Sequence, residues 1–366
     1  MLEVRPIVVA DGIVVGGNMR LLAMKDLGFR EVTAIDVTDW TQGQRDEFMI
    51  KDNLNFGDWD YDMLANEWEG TDLADWGMDL WETEVEEMKG LTDEDDIPEP
   101  FEEPTTKLGD VWILGEHRVM CGDSTKTEDV AKLMQGERVD IAFTSPPYNA
   151  GQTPTEVKMN KTSKYENDSD NKTQAQYLKL LQDFTSLSLQ YAEYSFVNIQ
   201  SLSGNKVALI EYLYSMKNVY ADTLIWNKQT AQPAMANNVL NSQYEYIHCF
   251  SEKANRSIGT KVFRGTLSNV VDISRQSKNK VKNHNATFPT EFAEHFVSNF
   301  TDNSVLDLFL GSGTTIIACE KTGRKCYGME LDPKYCDIII KRWEEFTGKK
   351  AHLEEEDDLM IIAQAQ

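Results

Sequence analysis

From about residue 107 to 350, short apolar runs alternate with amphipathic stretches. The runs Asp140 to Thr144, Tyr194 to Ile199, Asp222 to Trp226, Tyr244 to Phe250, Val305 to Phe309 and Lys325 to Glu330 each have the length and composition of a buried strand. Helical periodicity fills 173–192, 204–217, 289–300, 313–322 and 333–346. Strands separated by helices cannot pair as hairpins, so they enter one mainly parallel sheet with helices on its faces. The fold class expected for this region is α/β.

The rest of the chain reads differently. Residues 1–89 begin with Ile7-Val8-Val9 and Ile13-Val14-Val15 flanking Asp11-Gly12, a hairpin signal. A helix with Leu21, Leu22, Met24 and Leu27 as its apolar stripe follows, ended by Gly28, then a strand from Val32 to Val37 and a largely helical stretch over 41–88. This makes a small α+β domain. Residues 90–106 are acidic and proline-rich, and read as an extended, poorly packed linker. Residues 351–366 read as a frayed acidic tail.

The net charge of −25 argues against a polyanionic partner, but it is unevenly spread. Residues 1–106 hold 28 acidic and 7 basic side chains, whereas 151–290 hold 11 and 16. Within 253–282, Lys253, Arg256, Lys261, Arg264, Arg275, Lys278, Lys280 and Lys282 face only Asp272. That cluster is suited to phosphates, with Gln276, Asn279 and Asn283 as candidate readers of base edges. Lys158, Lys161 and Lys164 lie in a polar loop further upstream. The five cysteines are scattered, with no pairing or metal-ligand spacing, so no metal is expected. No membrane span or signal pattern is visible, and the expected location is the cytoplasm.

Two loops carry chemistry. In Val305-Leu306-Asp307-Leu308-Phe309-Leu310-Gly311-Ser312-Gly313-Thr314-Thr315 a strand enters a Gly-x-Gly turn and then a helix. The glycines let the backbone approach a ligand, and the helix N-terminus adds N–H donors. The next strand ends in Glu330, placed to accept from ribose hydroxyls. The third glycine of a dinucleotide fingerprint is missing, which argues against a nicotinamide cofactor.

The second loop is Thr144-Ser145-Pro146-Pro147-Tyr148-Asn149 at the end of another strand. Prolines fix φ and lack N–H groups, so nearby carbonyls are held as acceptors. An exocyclic base amine needs such acceptors, because its lone pair is delocalised into the ring. Ser145 Oγ and the Pro146 carbonyl are the candidates. Tyr148 offers a face on which an extruded base can stack. Trp226 and Lys228 are candidates for the pocket border, with core packing the alternative for Trp226. His248, in an apolar strand, reads as a core histidine.

Together these loops resemble the S-adenosylmethionine-dependent amino-methyltransferases of DNA. The Pro-Pro loop precedes the Gly-x-Gly loop, as in the circularly permuted β class. The resemblance implies a Rossmann-like methyltransferase domain over 107–350, with target recognition mainly within 227–285. It implies that Ser145, Pro146, Pro147 and Tyr148 are the catalytic residues. Val119-Met120-Cys121-Gly122-Asp123-Ser124 resembles the element whose acid, here Asp123, contacts the cofactor adenine. His284-Asn285-Ala286-Thr287-Phe288-Pro289 resembles the element that closes over the methionine part, through Thr287 and Phe288. Asp307, Phe309, Gly311, Ser312, Gly313, Thr314, Thr315 and Glu330 complete the cofactor set. Asn149 joins the basic residues of 253–282 as a DNA-binding candidate.

Double-stranded DNA is the implied partner, and a homodimer is left open. Direct transfer to nitrogen needs no nucleophilic cysteine, and no Pro-Cys occurs in the chain. Whether adenine or cytosine is the target stays open. Gly12 to Ala23 also resembles the Gly-x-x-Arg-x-x-Ala element of ParB/sulfiredoxin-like domains. In that family Gly17, Asn18 and Arg20 would lie near a nucleotide phosphate or a DNA backbone, but the acidity of this segment disfavours direct DNA contact, and a structural or partner-binding role is the expectation. The alternatives are a methyltransferase of RNA or of protein glutamine, and a ParB-like partition protein with an inactive catalytic domain.

Overall fold

The computed structural model describes residues 6–53, 76, 89–101, 103–150, 171–232, 238–256, 258, 267–275 and 288–354. The chain divides into two compact units, Met1–Glu84 with Arg264–Leu267, and the remainder.

In the first unit, β1 (Ile7–Ala10) and β2 (Ile13–Gly16) form an antiparallel hairpin, and β3 (Ala34–Asp36) runs parallel to β1. The hairpin turn has positive φ at both Asp11 (51°) and Gly12 (78°), the geometry that matches the twist of its strands. Helices α1 (Asn18–Asp26) and α2 (Gln42–Asn53) complete the described part. Arg45 of α2 bonds Asp11 at 2.8 Å and the Thr38 carbonyl at 2.7 Å, tying helix to turn. The stripe expected on α1 is only partly buried. Met24 is covered, but Leu22 and Leu27 are exposed by 54% and 66%, so among the described residues α1 lacks a full partner face. Residues 54–75 and 77–88, expected to be helical, lie outside the described residues.

The second unit is built on ten described strands in the order β10-β8-β9-β7-β6-β11-β12-β5-β4-β13. They are β4 (Val111–Leu114), β5 (His117–Cys121), β6 (Val139–Thr144), β7 (Ala192–Ile199), β8 (Tyr220–Gln232), β9 (Ser242–Phe250), β10 (Val270–Asp272), β11 (Ser304–Asp307), β12 (Lys325–Glu330) and β13 (His352–Leu353). The central run from β7 to β5 is parallel, and antiparallel pairings flank it on both sides. The helices are α3 (Thr127–Met134), α4 (Gln174–Tyr191), α5 (Lys206–Ser215), α6 (Thr290–Phe300), α7 (Thr314–Lys321) and α8 (Pro333–Thr347).

Alternation along β6 separates two helical layers. Ala142 packs among Val130, Leu133, Tyr177, Leu181 and Leu209 of α3, α4 and α5. Phe143 points the other way and stacks on Phe296 of α6 at 4.5 Å. Trp226 belongs to this second core, stacked on Phe292 at 4.2 Å with its indole N–H donated to the Ile273 carbonyl. His248 is buried and bonded to Thr223 at 2.9 Å, and burial pulls it down to about 4. All five cysteines are buried thiols. No described helix is long and apolar enough to cross a membrane.

Two acidic stretches differ from expectation. The described residues of 91–106 are tightly held. The N–H of Leu91 bonds the Phe346 carbonyl, Asp95 caps the N–H of Thr290 at 2.8 Å, and Glu94 pairs with Lys321 at 2.5 Å. Thr105 and Thr106 both donate to the buried Asp337. The segment is therefore a strap rather than a loose linker, with Asp95 and Glu94 matched to donors on α6 and α7 and its threonines donating to Asp337 of α8. The start of the tail is also ordered, since β13 pairs with β4 and Glu354 forms an ion pair with Arg118 at 2.5 Å. Residues 355–366 lie outside the described residues.

Candidate active site

The Pro-Pro loop leaves β6 and the Gly-x-Gly loop leaves β11. These strands are direct parallel neighbours, with Ile141 opposite Val305 and Ala142 opposite Leu306. From β6 the chain crosses to β7 on one side, and from β11 to β12 on the other. This is the switch point of a doubly wound sheet, where a crevice opens beyond the strand ends.

Both ends of the strand pair are fixed. At the start, Asp140 Oδ2 accepts the N–H groups of Asp302, Asn303 and Ser304 at 3.0, 2.7 and 3.1 Å. At the crevice, Asp307 accepts from Thr144 Oγ1 at 2.7 Å, from the Phe309 N–H at 3.0 Å and from Thr315 Oγ1 at 2.6 Å. Asp307 is only 1% exposed, and burial raises its carboxyl against the pull of these donors. Asp307 therefore works inside the protein, as the bolt between the two loops. Ser312, Thr314 and Thr315 are buried too. Arg342 of α8 donates to the Ser312 carbonyl at 3.0 Å and to Thr314 Oγ1 at 3.2 Å. Four residues expected to face a cofactor thus shape the loop from behind.

The open side of the loop is backbone and aromatic. Gly311 (φ 56°) has nothing within 4 Å of where a Cβ would stand, and Gly313 (φ 85°) begins α7 in the left-handed region. Glu330 receives the Gly311 N–H at 2.9 Å and the Asp332 N–H at 3.0 Å, and burial pushes it up to about 7. Asp123, on the loop after β5, turns Oδ1 to the Thr125 N–H and hydroxyl. β5 is the parallel neighbour of β12, with Cys121 opposite Glu330, so both acids stand at the same sheet end. Phe309 is half-buried with its edge on Phe184, and Phe288 packs against Phe143 and Phe292. Thr287 lies outside the described residues.

On the Pro-Pro side, a polar cluster stands inside an otherwise apolar sheet. Ser145 Oγ lies 3.2 Å from the Tyr148 hydroxyl and 3.3 Å from Asn198 Oδ1. The Tyr148 hydroxyl is 3.0 Å from Asn198 Oδ1 and 2.7 Å from Glu245 Oε2. A phenol has one proton, so the shorter contact to the charged acceptor takes it. Lys228 Nζ donates to Glu245 Oε1 at 3.1 Å. Burial, then the Glu245 charge, raises Tyr148 well above the ordinary phenol range. Tyr177 donates to the Pro147 carbonyl at 2.8 Å, and Asn205 donates to the Tyr148 carbonyl at 2.6 Å. Among the described residues no donor meets the Pro146 carbonyl.

Asn149 differs from its expected DNA role. It is 5% exposed, adopts φ 54°, and exchanges both amide bonds with the Lys172 backbone at 2.9 and 2.7 Å. It closes the neck of the loop it starts. Lys253 pairs with Glu193, and Arg256 with Asp222 at 3.0 Å, both at the exposed surface. Arg275 follows β10, while Lys261, Arg264, Lys278, Lys280 and Lys282 lie outside the described residues, as do Gln276, Asn279, Asn283, Lys158, Lys161 and Lys164.

Sequence reasoning missed Asn198 and Glu245, and gave Lys228 only a border position. The available signal was a polar residue inside an apolar strand: Asn198 within Tyr194 to Ile199, and Glu245 within Tyr244 to Phe250.

The sequence pattern of the DNA methylase family N6_N4_Mtase matches residues 139–341, more than half of the chain. The chain belongs to this family. The match runs from β6 to α8 and includes both loops. Among individual relatives of this methylase, the type II methyltransferase M.Cfr9I of Citrobacter freundii is 29% identical over 132 residues, covering 32% of this chain and 42% of that protein. The type II methyltransferase M.MthZI of Methanothermobacter thermautotrophicus is 25% identical over 173 residues, covering 39% and 49%. The methylase thus spans less than half the length of the curated relatives it matches. Among solved structures, the PvuII DNA methyltransferase (cytosine-N4-specific) aligns with a TM-score of 0.48 and 18% identity, over 74% of this chain and 95% of that one.

Proposed function

We propose that this chain is an S-adenosylmethionine-dependent DNA methyltransferase that methylates an exocyclic base amine of adenine or cytosine by direct transfer. The observation that carries the reading is the Thr144–Asp307 hydrogen bond of 2.7 Å. It locks a loop built to bind an amine against a loop built to bind a nucleoside. The type II methyltransferases to which the chain is similar support the same reading.

The residues fit the cofactor. Open space before Gly311, two carboxylates at neighbouring strand ends and the partly exposed rings of Phe288 and Phe309 suit a nucleoside with hydroxyls and an amine. Glu330 would accept from the ribose hydroxyls, Asp123 from the adenine amine, and the two rings would flank the apolar parts. When bound, the cofactor supplies an electrophilic methyl group on a sulfonium.

The protein's own part is orientation. The Pro146 carbonyl and Ser145 Oγ accept the two amine hydrogens and favour a pyramidal nitrogen. The Tyr148 ring stacks on the extruded base. Lys253, Arg256 and Arg275, with the basic residues of 259–282, hold phosphates. The chain order, Pro-Pro loop before Gly-x-Gly loop, supports assignment to the circularly permuted β class. The Gly17, Asn18 and Arg20 element supports a ParB-like origin for the first unit.

The test is incubation with methyl-labelled S-adenosylmethionine and unmethylated genomic DNA, followed by nucleoside mass spectrometry. Label in N6-methyladenine or N4-methylcytosine is expected, and its position names the base. An unlabelled DNA fraction, from protein shown to bind the cofactor, would refute the reading.

Glu330 gives the cofactor site a pH dependence. Its value is raised to about 7, so it is largely protonated at pH 6 and ionised at pH 8. A ribose hydroxyl donates well only to the ionised form. Cofactor affinity should therefore rise several-fold from pH 6 to 8 in calorimetric titration. In the free protein the sign is opposite: stability falls as pH rises from the ordinary carboxylate range through 7. Glu330→Gln should bind more weakly with a flat pH profile. A flat profile in the unmodified protein would remove Glu330 from the binding site.

A further inference from the structure

We propose that Glu245, backed by Lys228, is the proton sink of the methyl-transfer site, reached from the target amine through Ser145 Oγ and the Tyr148 hydroxyl. This rests on the amine-methylation reading above.

Three observations point to it. The first is placement. Lys228 on β8 has no exposure and Glu245 on β9 has 6%. Removing two charges from water costs several kcal/mol per ion, and an apolar pair of similar volume commonly stabilises a fold as well or better. Stability alone therefore gives no reason for this pair. The second is continuity. Ser145 Oγ, the Tyr148 hydroxyl, Glu245 and Lys228 are joined by contacts of 3.2, 2.7 and 3.1 Å. The chain begins on the residue expected to touch the amine and ends on a carboxylate. The third is the division of Glu245. Oε1 takes the Lys228 ammonium and Oε2 takes the Tyr148 hydroxyl, so the oxygen nearest the site is the one open to protonation. Asn198 flanks the chain, its amide N–H set toward the Tyr246 carbonyl and its oxygen toward Ser145 and Tyr148.

The step balances. An amine that gains a methyl group must lose one proton to end neutral. The nitrogen lone pair forms the new N–C bond as the S–C bond breaks, that bond's electron pair staying on sulfur. One amine proton passes to Ser145 Oγ, the serine proton to the Tyr148 oxygen, and the tyrosine proton to Glu245 Oε2. Ser145 and Tyr148 end as they began. Glu245 ends as the neutral acid beside a charged Lys228, and returns its proton to water when the product leaves. Tyr148 acts as a conduit throughout. Glu245 touches neither base nor cofactor and is a positioning and proton-accepting residue rather than a catalytic one.

The test measures single-turnover methyl transfer on the duplex defined by the labelling experiment. Base extrusion is followed in parallel by 2-aminopurine fluorescence at the target position, and cofactor binding by calorimetry. Tyr148→Phe keeps the ring and removes the conduit, and Glu245→Gln removes the sink. Each should slow transfer at least tenfold while extrusion and cofactor affinity stay near those of the unmodified protein. The double variant should be no slower than the slower single variant, since both cut one chain. Glu245→Gln strands a buried ammonium and destabilises the fold on that account alone, so Lys228→Met/Glu245→Gln is made alongside. It should restore the fold without restoring the rate. Transfer at the unmodified rate by Tyr148→Phe or by the Lys228→Met/Glu245→Gln protein overturns the relay. Rate loss matched by equal loss of extrusion does so too, because it makes the cluster a support for the ring. Absence of transfer by the unmodified protein refutes the underlying function, and the relay with it.

Discussion

Asp307→Ala is expected to lower the melting temperature of the catalytic unit by about 10 °C and to abolish methyl transfer. The change strands three donors at once: the buried Thr144 and Thr315 hydroxyls and the half-buried Phe309 N–H. Each unsatisfied buried group costs about 1–3 kcal/mol, which puts the loss on the order of 4 kcal/mol. For a domain of this size each kcal/mol shifts the melting point by about 2–4 °C. Transfer fails for a separate reason, since the Pro-Pro loop is no longer registered against the Gly-x-Gly loop, and small misplacements cost large rate factors. Asp307→Asn is the control. Its carbonyl oxygen can keep Thr144 and Phe309, while its amide can donate to the Thr315 hydroxyl, so the loss should be nearer about 1 kcal/mol. Thermal unfolding followed by circular dichroism decides the matter. An alanine variant melting within a degree or two of the unmodified protein would show that the bolt is dispensable.

Tyr148→Ala is expected to reduce methyl transfer by about 10- to 100-fold or more while leaving cofactor affinity within twofold. Loss of base stacking alone is worth about 1–3 kcal/mol. The ring also carries the hydroxyl that meets Glu245, so alanine removes both functions where phenylalanine removes one. The cofactor elements lie at the ends of β11, β12 and β5, where Glu330 and Asp123 bond Gly311, Asp332 and Thr125 rather than Tyr148. Steady-state rates with labelled cofactor and a separate binding isotherm distinguish the two effects. An alanine variant that turns over normally would remove Tyr148 from the site.

Much of this arrangement was legible from the residues, for identifiable reasons. The parallel strands β6, β7, β11 and β12 are largely buried on both faces because helices cover both, so each stood out as a continuous run. Their helices carry strong boundary signals, such as the Thr173/Gln176 capping box of α4 and the Asp332-Pro333 start of α8. The hairpin β4–β5, helix α3 and the short β10 and β13 were not separated from their surroundings, being short segments whose place is set by distant partners. Residue chemistry was legible where a side chain acts through its own loop, as at Ser145 and Tyr148. It failed where a side chain faces inward. Asp307 and Asn149 sit in the motifs that suggested ligand contact, yet their partners are Thr144, Thr315 and Lys172. Glu245 meets Tyr148 from 97 residues away and is itself held by Lys228 across the β8–β9 pairing, and a local pattern contains no record of either contact.

The strap of residues 91–106 bears on how DNA would find this protein. Its acids look, by count, like a negative screen beside the catalytic unit. Yet Glu94 is paired with Lys321, which it shares with Glu294, and Asp95 faces the positive end of a helix. Asp337, which the strap threonines enclose, is buried beneath it. Charges held this way cast little field into solvent. The approach of a polyanion is governed by what projects outward rather than by the isoelectric balance of the whole chain, and an excess of carboxylates can coexist with a surface that draws phosphates in.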